Sequence, residues 1–110
     1  MNQLSQEMKS CVGECLRCYQ VCLGTAMTHC LETGGKHTEP RHFRLMMACA
    51  EICRTAAHFM RINLTHHKHV CGECAEICQE CARDCEQIGE MQGLLMPVGR
   101  CAERCQKMAA

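Results

Sequence analysis

Residues 71–85 read Cys-Gly-Glu-Cys-Ala-Glu-Ile-Cys-Gln-Glu-Cys-Ala-Arg-Asp-Cys. On an α-helix each residue turns the side chain by about 100°. Cys71, Cys74, Cys78, Cys81 and Cys85 therefore share one stripe, and Glu, Gln, Arg and Asp occupy the remaining surface. A stripe with this period is the core-facing seam of an amphipathic helix. Such a seam is normally Leu, Ile and Val; here it is thiol. His67 precedes it in register.

The pattern recurs on both sides. Cys11, Cys15, Cys18 and Cys22 fall within about 60° of one another, and Leu4, Met8, Ala26 and His29 extend their stripe. Cys30 lies just off its edge. Met46, Cys49, Cys53, Ala56 and Met60 line a second face, with His42 at its start, and Leu94, Val98, Cys101, Cys105 and Met108 line a fourth. Gly34-Gly35 stops the first segment, and Pro40 suits the first turn of the next. Asn63 and Thr65 are capping types in a second polar stretch. Gly89 and Gly93 mark a third break, with Pro97 read as another helix start. These signals predict helices over about 3–33, 39–62, 65–88 and 96–108. β-branched residues are sparse and nothing alternates as a strand does. The expected fold is all-α: one domain over 1–110, an antiparallel up-down-up-down four-helix bundle with a Cys-lined core.

Composition narrows the function. The 110 residues include 14 Cys and 9 Met, whereas Leu, Ile, Val and Phe together number only 18. Sulfur must therefore fill the core, or metal or disulfides must hold the chain together. Net charge is zero, with one Tyr and no Trp, which argues against a nucleic-acid partner, since that wants a basic face and stacking aromatics. No apolar run approaches the roughly 18 residues of a membrane span. Residues 1–10, MNQLSQEMKS, lack the basic and apolar regions of a secretory signal. The expected compartment is thus a reducing cytoplasm, where dense cysteine reads as metal binding rather than as a disulfide scaffold.

Six Cys-x-x-x-Cys pairs tile the chain, at 11/15, 18/22, 49/53, 74/78, 81/85 and 101/105, leaving Cys30 and Cys71 over. Residues i and i+4 on a helix have Cβ atoms about 5–6 Å apart, so two thiolates of one helix can clasp one ion. Cu(I) is content with two or three thiolates; zinc asks for four in a tetrahedron. Charge separates the cases further. One Cu(I) per thiolate leaves the core neutral, but three zincs on twelve thiolates leave it at about −6, and buried uncompensated charge is very costly. All fourteen cysteines are candidate ligands. Protonated, they pack as small hydrophobes, so the metal-free bundle is expected to fold.

His29, His67 and Met46 are candidate neutral ligands, with ordinary core filling as the alternative for each. His37, His66 and His69 sit near loops and are expected to be solvated; His58 lies opposite the core. A redox catalyst needs one or two accessible low-pKa thiols rather than twelve paired ones on four seams. Iron–sulfur clusters use tighter loop spacings. Di-iron oxidase chemistry asks for inward glutamates, and Glu14, Glu73, Glu76 and Glu103 lie between the stripes. The chain is read as a binding protein, not an enzyme. In an up-down-up-down bundle, one mouth is expected to gather His29, Cys30, His42, Met46, Cys85 and Cys101 under a loop with Met91 and Met96. The far end gathers Met8, Met60, His67 and Met108.

The chain resembles the bacterial four-helix-bundle copper storage proteins, in their cytosolic branch. The resemblance rests on Cys11-x3-Cys15-x2-Cys18-x3-Cys22, Gly34-Gly35-Lys36-His37, Cys49-Ala50-Glu51-Ile52-Cys53, Phe59-Met60-Arg61, Cys74-Ala75-Glu76-Ile77-Cys78, Cys81-x3-Cys85, Cys101-Ala102-Glu103-Arg104-Cys105 and Met108. It implies several Cu(I) ions held by inward-facing cysteines, loading from one end, and a homotetramer. A zinc-buffering thiolate protein is the alternative, and a thiol redox protein a more distant one.

Overall fold

The computed structural model describes residues 4–110. The first helix begins at Gln6, where Ser5 caps it by accepting a hydrogen bond from the Met8 backbone N–H at 3.1 Å. The start expected at residue 3 lies outside the described residues. The helix runs as Gln6–Thr25, continues through a π turn at Ala26–Cys30, and closes with Leu31–Thr33. A 3₁₀ turn, Gly35–Thr38, leads into the second helix, Pro40–Arg61. Gly34 and Gly35, at φ 69° and 59°, take the left-handed backbone that reverses the chain here. Pro40 occupies the first helical turn, and the Glu39 carboxylate accepts from the His42 N–H at 3.1 Å. Glu39 to His42 has the Glu-x-x-His spacing of di-iron bundles, but its carboxylate is spent as this helix cap.

The third helix is His67–Ile88 and the fourth Gln92–Ala109. Helix one packs on two, two on three, three on four, and four back on one, so the antiparallel helices close a ring 47 Å long and about 20 Å across. The four seams meet along its axis. No strand occurs among the described residues.

The fourth helix starts four residues earlier than expected. Gly93 lies inside it rather than before it, and Pro97 lies in its interior rather than at its start. Pro97 falls in the second turn, where its missing N–H forfeits one backbone bond. Met91, Leu94 and Val98, at 4%, 2% and 0% exposure, pack into the core over the same stretch, and their burial outweighs the local penalty. Cys101 consequently sits more than two turns inside the bundle instead of at its mouth. Met96 is exposed, so of the two methionines expected over the mouth only Met91 turns inward.

Candidate metal centre

All fourteen cysteines are free thiols and all are buried. Cys30, placed just off the stripe by regular helical geometry, is as buried as the rest. The π turn is the cause. Eight α-helical residues carry Cys30 about 80° past Cys22, and the extra residue of a π turn takes back about 100°. Cys30 thereby returns to the seam.

The sulfurs form one continuous column. At the far end Cys11 Sγ lies 3.7 Å from Cys105, and Cys15 lies 3.4 Å from Cys105 and 3.7 Å from Cys101. Cys53 then joins the column, 3.5 Å from Cys101, 3.5 Å from Cys78 and 3.7 Å from Cys74. Cys49 follows, 3.6 Å from Cys78, 3.7 Å from Cys22 and 3.9 Å from Cys18. Met46 Sδ continues the line, 3.8 Å from Cys81 and 3.6 Å from Cys85. Cys30 ends it beside His42 Nε2, at 3.9 Å. Cys71 is buried at the far end, one turn from Cys74.

Ligand sets overlap along this column. Among the described residues, Cys15, Cys74, Cys101 and Cys105 converge, as do Cys18, Cys49, Cys53 and Cys78; then Cys53, Cys74, Cys78 and Cys101; and Cys22, Cys49 and Cys81. Within each set all ligand atoms lie within 4.8 Å of one another. Three helices contribute to each of these sets, so the sites exist only once the bundle closes. Neighbouring sets share sulfurs, which lets one thiolate bridge two ions.

The thiols are coupled. Cys85 is held well above the ordinary thiol range by its hydrogen bond with Cys81 and then by burial. Cys22 is pushed the same way by Cys18 and Cys49, and Cys30 by burial, with Cys85 and Cys81 adding to it. Cys74 is drawn down by its hydrogen bonds with neighbouring thiols, Cys101 first, whereas Cys53 and Cys105 are pushed up, each first by its hydrogen bond with Cys101. No Lys or Arg is buried among the described residues to offset thiolate charge. A cation is what can replace these protons.

The linkage has a definite sign. A thiol whose folded pKa is raised stabilises the folded state fully below its unfolded pKa and loses that contribution as pH climbs through the folded value. Metal-free protein, kept reduced, is therefore expected to lose stability as pH rises above about 8.5, the unfolded thiol value, where Cys22, Cys30 and Cys85 are forced to ionise. Thermal melts from pH 7 to 11 check this; a flat profile would show that Cys22, Cys30 and Cys85 titrate as they do in water.

The mouth is more polar than expected. His42 is 2% exposed, and its Nδ1–H donates to Asp84 Oδ2 at 2.6 Å. The ionised carboxylate can only accept, so it fixes the proton on Nδ1 and leaves Nε2 bare toward Cys30. Arg41 approaches the same carboxylate at 3.4 Å and Glu80 at 3.5 Å from outside. His37, expected in solvent, is 1% exposed, because the Gly34-Gly35 reversal folds its turn over the bundle end. His29 is half-buried, with Nδ1 3.5 Å from Thr33 Oγ1 and Nε2 without a partner. His67 is buried at the opposite end, with Nδ1 unpartnered. The sequence pattern missed Asp84, which reads as a solvated-face residue and meets His42 across 42 positions.

A closed four-helix bundle whose seams carry thiol in overlapping sets is a container for several soft metal ions. The chain belongs to the copper storage protein family, whose model matches residues 4–110. Among solved structures, the Nmul_A1745 protein from Nitrosospira multiformis is 50% identical, with a TM-score of 0.92 over 94% of this chain and 95% of that one. The Cu(I)-bound copper storage protein BsCsp3 is 32% identical, with a TM-score of 0.86 over 96% of this chain and all of that one. Apo-Csp3 from Bacillus subtilis is also 32% identical, with a TM-score of 0.82 over 93% and 98% of the two chains. No match was found among curated protein sequences.

Proposed function

We propose that this chain is a cytosolic store for Cu(I), a non-enzymatic protein that sequesters many ions on Cys11, Cys15, Cys18, Cys22, Cys30, Cys49, Cys53, Cys71, Cys74, Cys78, Cys81, Cys85, Cys101 and Cys105. The observation that carries it is the unbroken sulfur column, whose successive ligand sets share cysteines. Sharing suits a monovalent ion that can be bridged; separate tetrahedral zinc sites would each claim four thiolates for themselves. Family membership supports the same reading. The single domain is taken to span 1–110 and to assemble as a homotetramer. No helix among the described residues is long and apolar enough to cross a membrane, and a reducing cytosol would keep the fourteen thiols available.

Met46 touches Cys81 and Cys85 one helical turn inside His42, so it is assigned as a neutral relay, with His29 outside it. His67 is assigned to the far end as an occasional ligand beside Cys11 and Cys71.

Anaerobic titration with Cu(I) against a competing chelator is expected to saturate at about one ion per cysteine, the filling that leaves the core neutral. Saturation at three or four ions per chain would instead indicate zinc-type tetrahedral sites.

A further inference from the structure

All fourteen cysteines are at most 1% exposed, and Met46 is fully buried. The closed bundle therefore offers an arriving ion no thiol, and part of its wall has to move before copper enters or leaves. The wall is weakest between the third and fourth helices. Gly89 and Glu90 both hold left-handed backbone, at φ 85° and 61°, a conformation that costs a non-glycine residue such as Glu90 some strain. The fourth helix then starts at Gln92 with no side-chain cap and no acidic residue in its first turn, whereas Ser5 and Glu39 cap the first two helices. Gly93 lowers helix propensity in that turn. Pro97 has no N–H to donate to the Gly93 carbonyl four residues earlier. Gln92, Gly93 and Met96 face solvent, and Met91 and Leu94 are the buried side chains of the stretch. Glu90 Oε1 stands 3.5 Å from His37 Nε2, so the loop reaches the turn that folds over the bundle end.

We propose that residues 89–96 form a flap that gates the store. Its hinges are Gly89, where the backbone is already left-handed, and Pro97, where the helical ladder is already broken. Opening swings Met91 and Leu94 outward and unwinds the first turn of the fourth helix. That uncovers the bundle end where the sulfur column finishes with Cys85 and Cys30. The remainder of the helix stays docked through Val98, Cys101 and Cys105, all fully buried. The other segments at this end are better held. The π turn is continuous with the first helix, and the 3₁₀ turn buries His37 and runs into the Glu39 cap. Local opening costs less than global unfolding, so copper can pass while the thiol sets stay assembled. The flap rests on the storage reading and supplies its moving part.

Gly93→Ala tests it. Nothing lies within 4 Å of a Cβ added at Gly93, so the change acts through helix propensity and should make opening about 5-fold rarer. Gly99→Ala, beyond Pro97 in the same helix and equally unobstructed, brings the same gain outside the flap. Hydrogen exchange is followed on the metal-free protein, and Cu(I) uptake and its removal by a Cu(I) chelator are timed by stopped flow. The backbone amides of residues 94–96 should exchange faster than those of 101–108, and Gly93→Ala should slow them by about 5-fold. Copper uptake and removal should slow by the same factor in Gly93→Ala and keep the wild-type rates in Gly99→Ala, with capacity unchanged in both. Equal slowing in the two chains would mean that the whole helix must open, and unchanged rates in both would mean that copper enters elsewhere; either result overturns the flap. So would amides at 94–96 as protected as the rest of the helix. The exchange readout needs no copper, so a chain that took up no Cu(I) would sink the storage reading and leave the flap to be judged on exchange alone.

Discussion

Loading with Cu(I) is expected to raise the melting temperature by more than about 30 °C. A ligand that binds only the folded chain adds about 4 kcal/mol when present at a thousand times its dissociation constant, and each kcal/mol moves the midpoint of a domain this size by about 4–8 °C. Two such sites already exceed the stated shift, and the column offers many more. The ligand sets each draw on three helices at once, so each ion cross-links elements that unfolding must separate. About one proton should leave per ion, since every thiol must ionise to bind. Calorimetry of metal-free and loaded protein, with pH recorded in weak buffer, checks both halves. An unmoved melting temperature would mean that the ions sit on the surface.

His29→Ala together with Met46→Ala is expected to slow copper uptake and removal by about 10-fold or more, with final capacity falling by at most one or two ions. Met46 Sδ touches both Cys81 and Cys85, and Cys30 with His42 lies at the end of the line. Thioether and imidazole are neutral ligands, so they can accept Cu(I) without first surrendering a proton at neutral pH. Loss of Met46 therefore interrupts the transfer while sparing the thiolates that store the ions. Stopped-flow loading of the wild-type and doubly substituted chains decides it. Equal rates with a large loss of capacity would make these residues structural ligands, and uptake would have to be sought at the end holding Met8, His67 and Met108.

Most of the fold was legible because its signals are local. Cysteine at helical spacing defines the seams, and Gly34, Pro40 and Gly89 define the breaks. The fourth helix was misjudged where two local signals, Gly93 and Pro97, met a non-local one. Met91 reaches a core that the linear pattern does not show it, and Leu94, read on the seam but ahead of the helix, packs there as well; tertiary burial overrides propensity there. His37 was misread for a related reason. A histidine beside two glycines looks like loop, and its burial depends on where the reversed turn lands.

By itself, the sequence determined that four amphipathic helices turn thiol inward and that those thiols, once ionised, have no Lys or Arg on the seams to offset their charge, which leaves that part to metal. Periodicity and composition are properties of the chain alone, so they survive without coordinates. Which sulfurs meet is another matter. Cys53 joins Cys74, Cys78 and Cys101 only because rotation and axial shift of separate helices are set by packing. Cys30 returns to the seam only through a π turn, and Asp84 finds His42 only across the interface of the second and third helices. These contacts depend on relative placement in three dimensions, for which helical period carries no term.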